Sequence, residues 1–459
     1  MSERFDVIIV GAGPSGIFCA RELVQAGGIS VALVEKGMDI EERNLALERA
    51  DEMTRYTLLA TGWGGAGAYS DGKLTLSAEV GGFLGRYLSR QEILSLVDYV
   101  DSIYVEHGAP KGVYGEDAAS VEAIAERAAR AGLKLIPTRI RHMGSDNCPK
   151  ILTSMREEMA GKAEFFFGKT AEMILSEDGK ASGVRLSDGE ELKASYVVLA
   201  PGRHGAAWLD SEARRLGIRR MVNPVDLGLR VEVPAAVMAP ITEVCYEPKF
   251  HYWSKSFDDF VRTFCMNPYG EVVQEVHEDI VTVNGHSYAG HKTTNTNFAL
   301  LVSTTFTKPF HDPIAYGAYI ARLANLLGEG VLVQRLGDLL DGRRSTPERI
   351  KKGLVEPTLR SATPGDLSFV LPYRTLKNIL EMLEVLDRVA PGVYARHTLL
   401  YGAEVKFYSL WLELSSSFET NIPQLFAVGD GAGVSRGLIQ SSASGVVAAR
   451  EIARRRPRD

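Results

Sequence analysis

The first 35 residues restrict the fold of this chain more than any other stretch. Phe5–Val10 (FDVIIV) is a short apolar run of strand character, followed at once by Gly11-Ala12-Gly13-Pro14-Ser15-Gly16. A helical pattern then runs to about Gln25, with Ile17, Ala20 and Leu23 on one face, and Gly27-Gly28 stops it. Ser30–Val34 (SVALV) forms a second apolar strand that ends at Glu35. Strand, glycine turn, helix and strand at this spacing make a βαβ unit, whose two strands lie parallel with the helix crossing between them. Each glycine has a task there: Gly11 makes the tight turn, Gly13 admits a pyrophosphate, and Gly16 lets helix and strand pack closely. The helix N-terminus offers free N–H groups and partial positive charge to phosphates, which adds Pro14 and Ser15 to the candidate binding set. Glu35 is placed to accept from a ribose hydroxyl and disfavours a 2′-phosphate, and Lys36 lies beside it.

The far end of the chain selects among dinucleotides. LFAVGDGAG (Leu425–Gly433) is a buried strand that delivers Gly429, Asp430 and Gly433 to a turn before a closing helix. A middle strand, Tyr196–Ala200, ends in Pro201-Gly202-Arg203. Asp430 on its own reads more readily as an ordinary Asp-Gly turn. The three segments in this order resemble two-dinucleotide-binding flavoproteins, in which an Asp at such a position bonds the ribitol of FAD and the middle segment passes near the same cofactor. The fold class implied is α/β: a Rossmann-like FAD-binding domain of glutathione-reductase type, interleaved with an α+β substrate domain. The expected boundaries are 1–80, 145–218 and 421–459 for the FAD-binding domain, and 81–144 and 219–420 for the substrate or cap domain. Between them the pattern predicts helices near 90–107, 120–131 and 149–159, the last with Ser145, Asp146 and Asn147 available as caps. Two Asp-Gly pairs, at 178–179 and 188–189, predict a three-stranded meander over 163–192. Later helices are expected after an Asp312 cap with Pro313 in the first turn, and over 373–389.

Thr61–Leu74 (TGWGGAGAYSDGKL) is the densest glycine loop. Gly62, Gly64, Gly65 and Gly67 would let backbone N–H groups lie against a flat ring where side chains would clash, and Gly64, Gly65, Ala66 and Gly67 join the candidate cofactor-binding residues. Asp71 and Lys73 read either as residues of a hairpin turn or, for Lys73, as a cation near flavin N1 or N5 that stabilises the reduced ring. Arg43 reads either as a pyrophosphate ligand or as part of a solvated helix face beside Glu41 and Glu42. Of the 459 residues 45 are glycine, above the roughly 7% of average proteins. These cofactor-facing segments concentrate that surplus.

The stretches VIIVGAGPSG, GWGGAGAYSDGKLT, RHMGSDNCPKIL, NPVDLGLRVEVP, RTFCMNPYGEVV and LFAVGDGAG are spread over nearly the whole chain. Together they resemble the FAD-dependent dehydrogenases of bacteria and archaea. That resemblance implies FAD and an oxidoreductase role, and fixes no substrate. GAEVKFYSLWLE departs from it: Glu404 matches, whereas Lys406, Phe407 and Tyr408 replace a Thr/Ser-rich stretch. If this segment lines the substrate pocket, the substrate differs from that of the relatives.

Candidate catalytic residues are Lys73, Cys265, His286 and Glu404. Cys265 reads as a packing cysteine or as a redox group needing a depressed pKa, and only Arg262 lies nearby in sequence to lower it. His286 and His142 read as structural residues or as acid–base groups. Phe250–Phe257 (FHYWSKSF) holds enough aromatic surface either to pack a core or to cover a flat substrate.

Composition excludes several classes. A net charge of −6 argues against a nucleic-acid binder. Four separated cysteines without C-x-x-C argue against a zinc site or disulfide framework, so no metal is expected and a cytoplasmic location is. No apolar stretch is long enough to span a membrane. The expected activity is hydride transfer between flavin N5 and a small organic substrate, with transient NAD(P)H a possible electron donor and the oligomeric state open. A flavin monooxygenase or an isoprenoid double-bond reductase remains an alternative. The monooxygenases often carry Asp-Gly where this chain has Pro201-Gly202. A flavin-bearing RNA-modifying or sensor protein is the alternative of a different class.

Overall fold

The computed structural model describes residues 4–50, 57–69, 72–144, 147–221, 225–277, 280–287, 292–304, 313–406 and 411–455. Asp71, Ser145, Asp146, Asp312, Phe407 and Tyr408 lie outside them. The chain forms two units: Met1–Gly112, Arg141–Met221 and Ser409–Asp459 in the first, Val113–Ile140 and Val222–Tyr408 in the second.

The first unit is built on a seven-stranded sheet. Its central strand, Arg4–Val10, pairs in parallel with Val31–Glu35 on one side and Glu191–Leu199 on the other. Glu164–Phe167 continues the sheet beyond Val31–Glu35. The C-terminal part of Glu191–Leu199 pairs in parallel with Leu425–Ala427, and its N-terminal part antiparallel with Lys180–Leu186. The expected meander therefore comprises Ala171–Glu177, Lys180–Leu186 and Glu191–Leu199, and the last of these is continuous with the middle strand. Glu164–Phe167 belongs to the opposite edge, because Val31–Glu35 is buried along its whole length and its outer side needs a parallel partner. The helices Pro14–Ala26 and Leu438–Arg455 pack against each other.

The unit boundary differs from the expected one over 81–112. The helix Arg90–Glu106 buries Ile93, Leu96, Val97, Val100 and Ile103, and packs on Leu438–Arg455, with the Tyr104 hydroxyl 3.2 Å from Ser442 Oγ. A Ser89–Glu92 capping box fixes where that helix starts.

The second unit carries an eight-stranded sheet in the order Thr363–Pro364, Leu332–Arg335, Leu399–Lys406, Val225–Pro234, Asn295–Thr304, Phe260–Asn267, Lys249–Trp253, Lys134–Ile136. Alternation sorts its faces. Leu227, Leu229, Val231, Val233, Leu300 and Val261 form one core with residues of the helices Ala118–Ala131, Ala235–Thr242, Pro313–Gly328 and Tyr373–Leu386. The intervening residues of Val225–Pro234 are Asp226, Gly228, Arg230 and Glu232, and all are buried on the opposite, polar face. Both polar and apolar residues of this strand are buried, so hydropathy alternation alone does not reveal that the sheet is covered on two sides.

Candidate functional site

In the first unit the glycine-rich segments converge. Gly11 has φ +106°, and a Cβ there would stand 2.2 Å from the carbonyl oxygen of Ala200. Only glycine allows the first strand's exit to pass this close to the middle strand's end. A Cβ at Gly13 would meet no protein atom within 4 Å. Gly13 also caps the helix Pro14–Ala26 without any side-chain hydrogen bond to the helix. Open space therefore faces a helix N-terminus whose first N–H groups lack a side-chain acceptor, which is the arrangement a pyrophosphate fills.

The loop after residue 60 closes on the same turn. Gly64 N–H donates to Ala12 O at 2.8 Å, and a Cβ on Gly65 would lie 3.1 Å from Gly13 Cα. Gly65–Gly67 forms a short 3₁₀ turn, with Ala66 exposed and Trp63 fully buried under it. Trp63 Nε1 donates to Leu152 O at 2.9 Å, and its ring meets Phe165 and Phe167 edge-on.

Two charged residues organise this region from within. Glu35 Oε2 accepts from Ala12 N–H at 2.8 Å, while Oε1 accepts from Gly37 and Gly62 N–H, each at 2.9 Å. One carboxylate thus ties the fingerprint turn, its own strand end and the glycine loop together, and Oε2 retains a lone pair for a ribose hydroxyl. Lys36, next to it, is exposed. Arg43 is neither on a solvated face nor at the surface. It is fully buried and donates to the carbonyls of Leu58, Trp63 and Gly65 at 2.7, 2.7 and 2.9 Å. Burial lowers its pKa to about 10, partly offset by Tyr69 and Glu35. Carbonyl oxygens of a glycine loop need a fork of donors, and a buried Arg supplies it.

Gly202 follows the middle strand, with φ +63° and open space where a Cβ would stand. Beside it, Gly429 begins the C-terminal turn, and a Cβ there would strike Ser15 Oγ at 2.4 Å. Asp430 Oδ2 accepts from Arg203 Nε at 3.2 Å and Oδ1 from Ser435 Oγ at 2.7 Å, and Gly433 ends the 3₁₀ turn in the left-handed region. Sequence reading did not single out Arg203 and Ser435 as partners of Asp430, or Gln440, whose Nε2 donates to Val80 O at 3.0 Å. Lys73 opens the short strand Lys73–Leu76 and is half-buried.

In the second unit Glu404 is not a free acid–base group. Its carboxylate takes a bidentate pair from Arg230 (2.9 and 3.0 Å) and a third contact from Lys406 Nζ at 2.9 Å. Both Arg230 and Glu404 are fully buried. Burial acts to raise the Glu404 pKa, but Arg230 and Lys406 outweigh it and hold the carboxyl below its ordinary range. Arg230 also donates to Asn297 Oδ1, to Asn284 Oδ1 and to the carbonyl of Cys265. Cys265 is half-exposed rather than packed in the core, and it sits at φ +43° where the strand register shifts. Glu404 and the Cys265 backbone therefore meet at one guanidinium. The His286 side chain is exposed at the end of Ile280–His286.

Residues 226–407 match the family described as FAD-dependent protein, C-terminal domain-like. That match covers less than half of the chain. A Clostridium beijerinckii protein described as uncharacterized is 27% identical over 473 aligned residues, covering 97% of this chain and 80% of that protein. Among solved structures, glycine oxidase from Geobacillus kaustophilus aligns with a TM-score of 0.39 and 14% identity over 99% of this chain and 96% of its own. L-proline dehydrogenase from P. horikoshii aligns with a TM-score of 0.41 and 12% identity over 98% and 94%. Similarity at this level carries no argument about substrate. Among the described residues, no helix is long and apolar enough to cross a membrane.

Proposed function

We propose that this flavoprotein moves a hydride between N5 of FAD and a small organic substrate, with the first unit holding the cofactor and the second recognising the substrate. The observation that carries the reading is the convergence of the glycine-rich segments on the open, uncapped start of the helix Pro14–Ala26. In this reading Gly11, Gly13, Pro14, Ser15 and Gly16 hold the pyrophosphate, and Glu35 takes a ribose hydroxyl with its remaining lone pair. Asp430 bonds the ribitol, and Gly202, Gly429 and Gly433 let backbone approach the cofactor. Gly64, Gly65, Ala66 and Gly67 form one wall of the cofactor site, and Arg43 braces that wall. FAD supplies the redox chemistry when bound, while the protein orients substrate and tunes the ring. Lys73 is proposed to stabilise charge on the reduced ring. Electrons come from the substrate or from transiently bound NAD(P)H, the location is cytoplasmic, and nucleic acid is not a partner.

The test is anaerobic bleaching of the holoprotein's flavin absorbance with NADH, NADPH and a panel of small organic metabolites. Bleaching by a member of the panel supports the proposal. Absence of reduction across the panel, with dithionite still bleaching the flavin, contradicts it.

A further inference from the structure

The polar face of the second unit's sheet has two zones. Around Arg230 the hairpin strand Ile280–His286 roofs the face, so that Gly285 lies against the guanidinium and Asn284 bonds it. Beyond that roof, on Phe260–Asn267, the residues Phe260, Arg262 and Phe264 are half-buried and alternate with the buried Val261 and Thr263.

The ring of Phe264 is surrounded by cations from three strands. Lys249 Nζ lies 5.0 Å from its centroid, Arg262 Cζ 5.8 Å and Lys406 Nζ 5.9 Å. Each cation has a carboxylate beside it: Glu247 for Lys249, Asp226 for Arg262, and both Glu404 and Glu275 for Lys406. The neighbouring His251, opposite Arg262 in the sheet, is pushed down to about 4 by burial first and then by Arg262, Lys134 and Lys249. A purely structural sheet face needs none of this, because apolar residues of similar volume stabilise as well as buried ion pairs do. An aromatic floor ringed by paired cations is suited to a ligand with an apolar body and an anionic end.

We propose that this face is the specificity site for the substrate, and that the substrate is an organic carboxylate whose flat or apolar body rests on Phe264 while Lys249, Arg262 and Lys406 take its charge. The proposal rests on the reading that the second unit recognises the substrate. It adds the chemical class and names residues that sequence motifs did not single out for binding, Lys249, Phe264 and, as a ligand, Arg262.

The experiment is isothermal titration of the holoprotein with benzoate, in low and high salt, on the wild type and on Lys249→Gln, Phe264→Leu and the exposed control Lys351→Gln. The expected result is salt-sensitive binding that weakens about tenfold in each of the first two variants and is unchanged in the control, which is the loss of one good contact. Thermal melting of each variant separates lost binding from lost fold, and Phe264→Leu preserves apolar volume for that reason. No benzoate binding by the wild type, or equal binding by all variants, overturns the proposal. Competition by inorganic phosphate at matched concentration also overturns it, because the patch would then read charge alone. Flavin content is measured on the same samples. A flavin-free protein that binds benzoate refutes the proposed function, whereas a flavin-bearing protein that ignores benzoate refutes only this inference.

Discussion

Substituting Gly13 by alanine separates a residue kept small for the cofactor from one kept small for the fold. Gly13 has φ −77° and ψ −178°, a conformation any residue adopts, and its added Cβ meets no protein atom within 4 Å. The substitution therefore strains nothing, and reduced unfolded-state entropy should stabilise the apoprotein by about 0.4–1 kcal/mol. The new methyl enters the space assigned to the pyrophosphate. If FAD is present at about 100 times Kd it adds about 2.7 kcal/mol to wild-type stability, and a Kd weakened about 100-fold leaves about 0.4 kcal/mol. FAD-dependent stabilisation should thus fall by about 2.3 kcal/mol while the apoprotein holds or gains. Gly11→Ala provides the contrast. At φ +106° and with its Cβ 2.2 Å from Ala200 O, it should destabilise the apoprotein itself by roughly 1–3 kcal/mol. The assay is urea denaturation of both variants with and without FAD. A Gly13→Ala protein that keeps its full FAD-dependent stabilisation would falsify the assignment of that space.

Further outcomes concern the second unit. Gly285→Ala should destabilise by roughly 1–3 kcal/mol through overpacking, because its Cβ would stand 2.4 Å from Arg230 Nη1 and 2.1 Å from Asn297 Oδ1; an unchanged urea midpoint would count against the packed guanidinium. Glu404→Gln leaves the fully buried Arg230 guanidinium without its carboxylate and should lose about 3–5 kcal/mol, and the double variant Arg230→Met/Glu404→Leu should recover most of it, since Lys406 keeps Glu275; additive losses in that cycle would refute the coupling. Glu232 is held above the ordinary carboxylate range by burial, against donation from Thr358, Tyr401 and Asn295. A raised carboxyl binds its proton more tightly when folded, so its stabilisation is full below the ordinary value of about 4.3 and declines as pH rises through the folded value. Urea midpoints measured from acid to neutral pH should show that decline in the wild type and not in Glu232→Gln, and parallel curves would contradict it.

The sequence was most legible where backbone geometry dictates residue type. The turn at Gly11–Gly16, the Asp-Gly hairpins and the Leu425–Gly433 segment announce themselves because few residues fit those conformations. Side-chain roles were less legible, because they depend on partners far away in the chain. Nothing near Arg43 indicates that it reaches the carbonyls of Leu58, Trp63 and Gly65, and its flanking Glu41 and Glu42 suggest solvent instead. Glu404 carries no local mark of the Arg230 pair, which is separated from it by 174 positions. The alternation Asp226, Gly228, Arg230, Glu232 against Leu227, Leu229, Val231, Val233 was the readable trace of that network. Charged residues on every second position of a strand usually mean solvent, and here they mean a second buried face. The 81–112 boundary was missed for a similar reason, since the amphipathic helix Arg90–Glu106 shows that it needs a partner surface without naming which unit supplies it.

The proposed chemistry requires that the glycine-rich turn of the first unit hold flavin. The direct measurement is the absorbance spectrum of the purified protein, followed by denaturation and quantification of released cofactor after reconstitution with FAD. The account predicts a yellow protein that releases FAD in equimolar amount to the chain, and that binds none once Gly13 is replaced by valine. A folded wild-type protein that stays colourless and retains no FAD on reconstitution would contradict it.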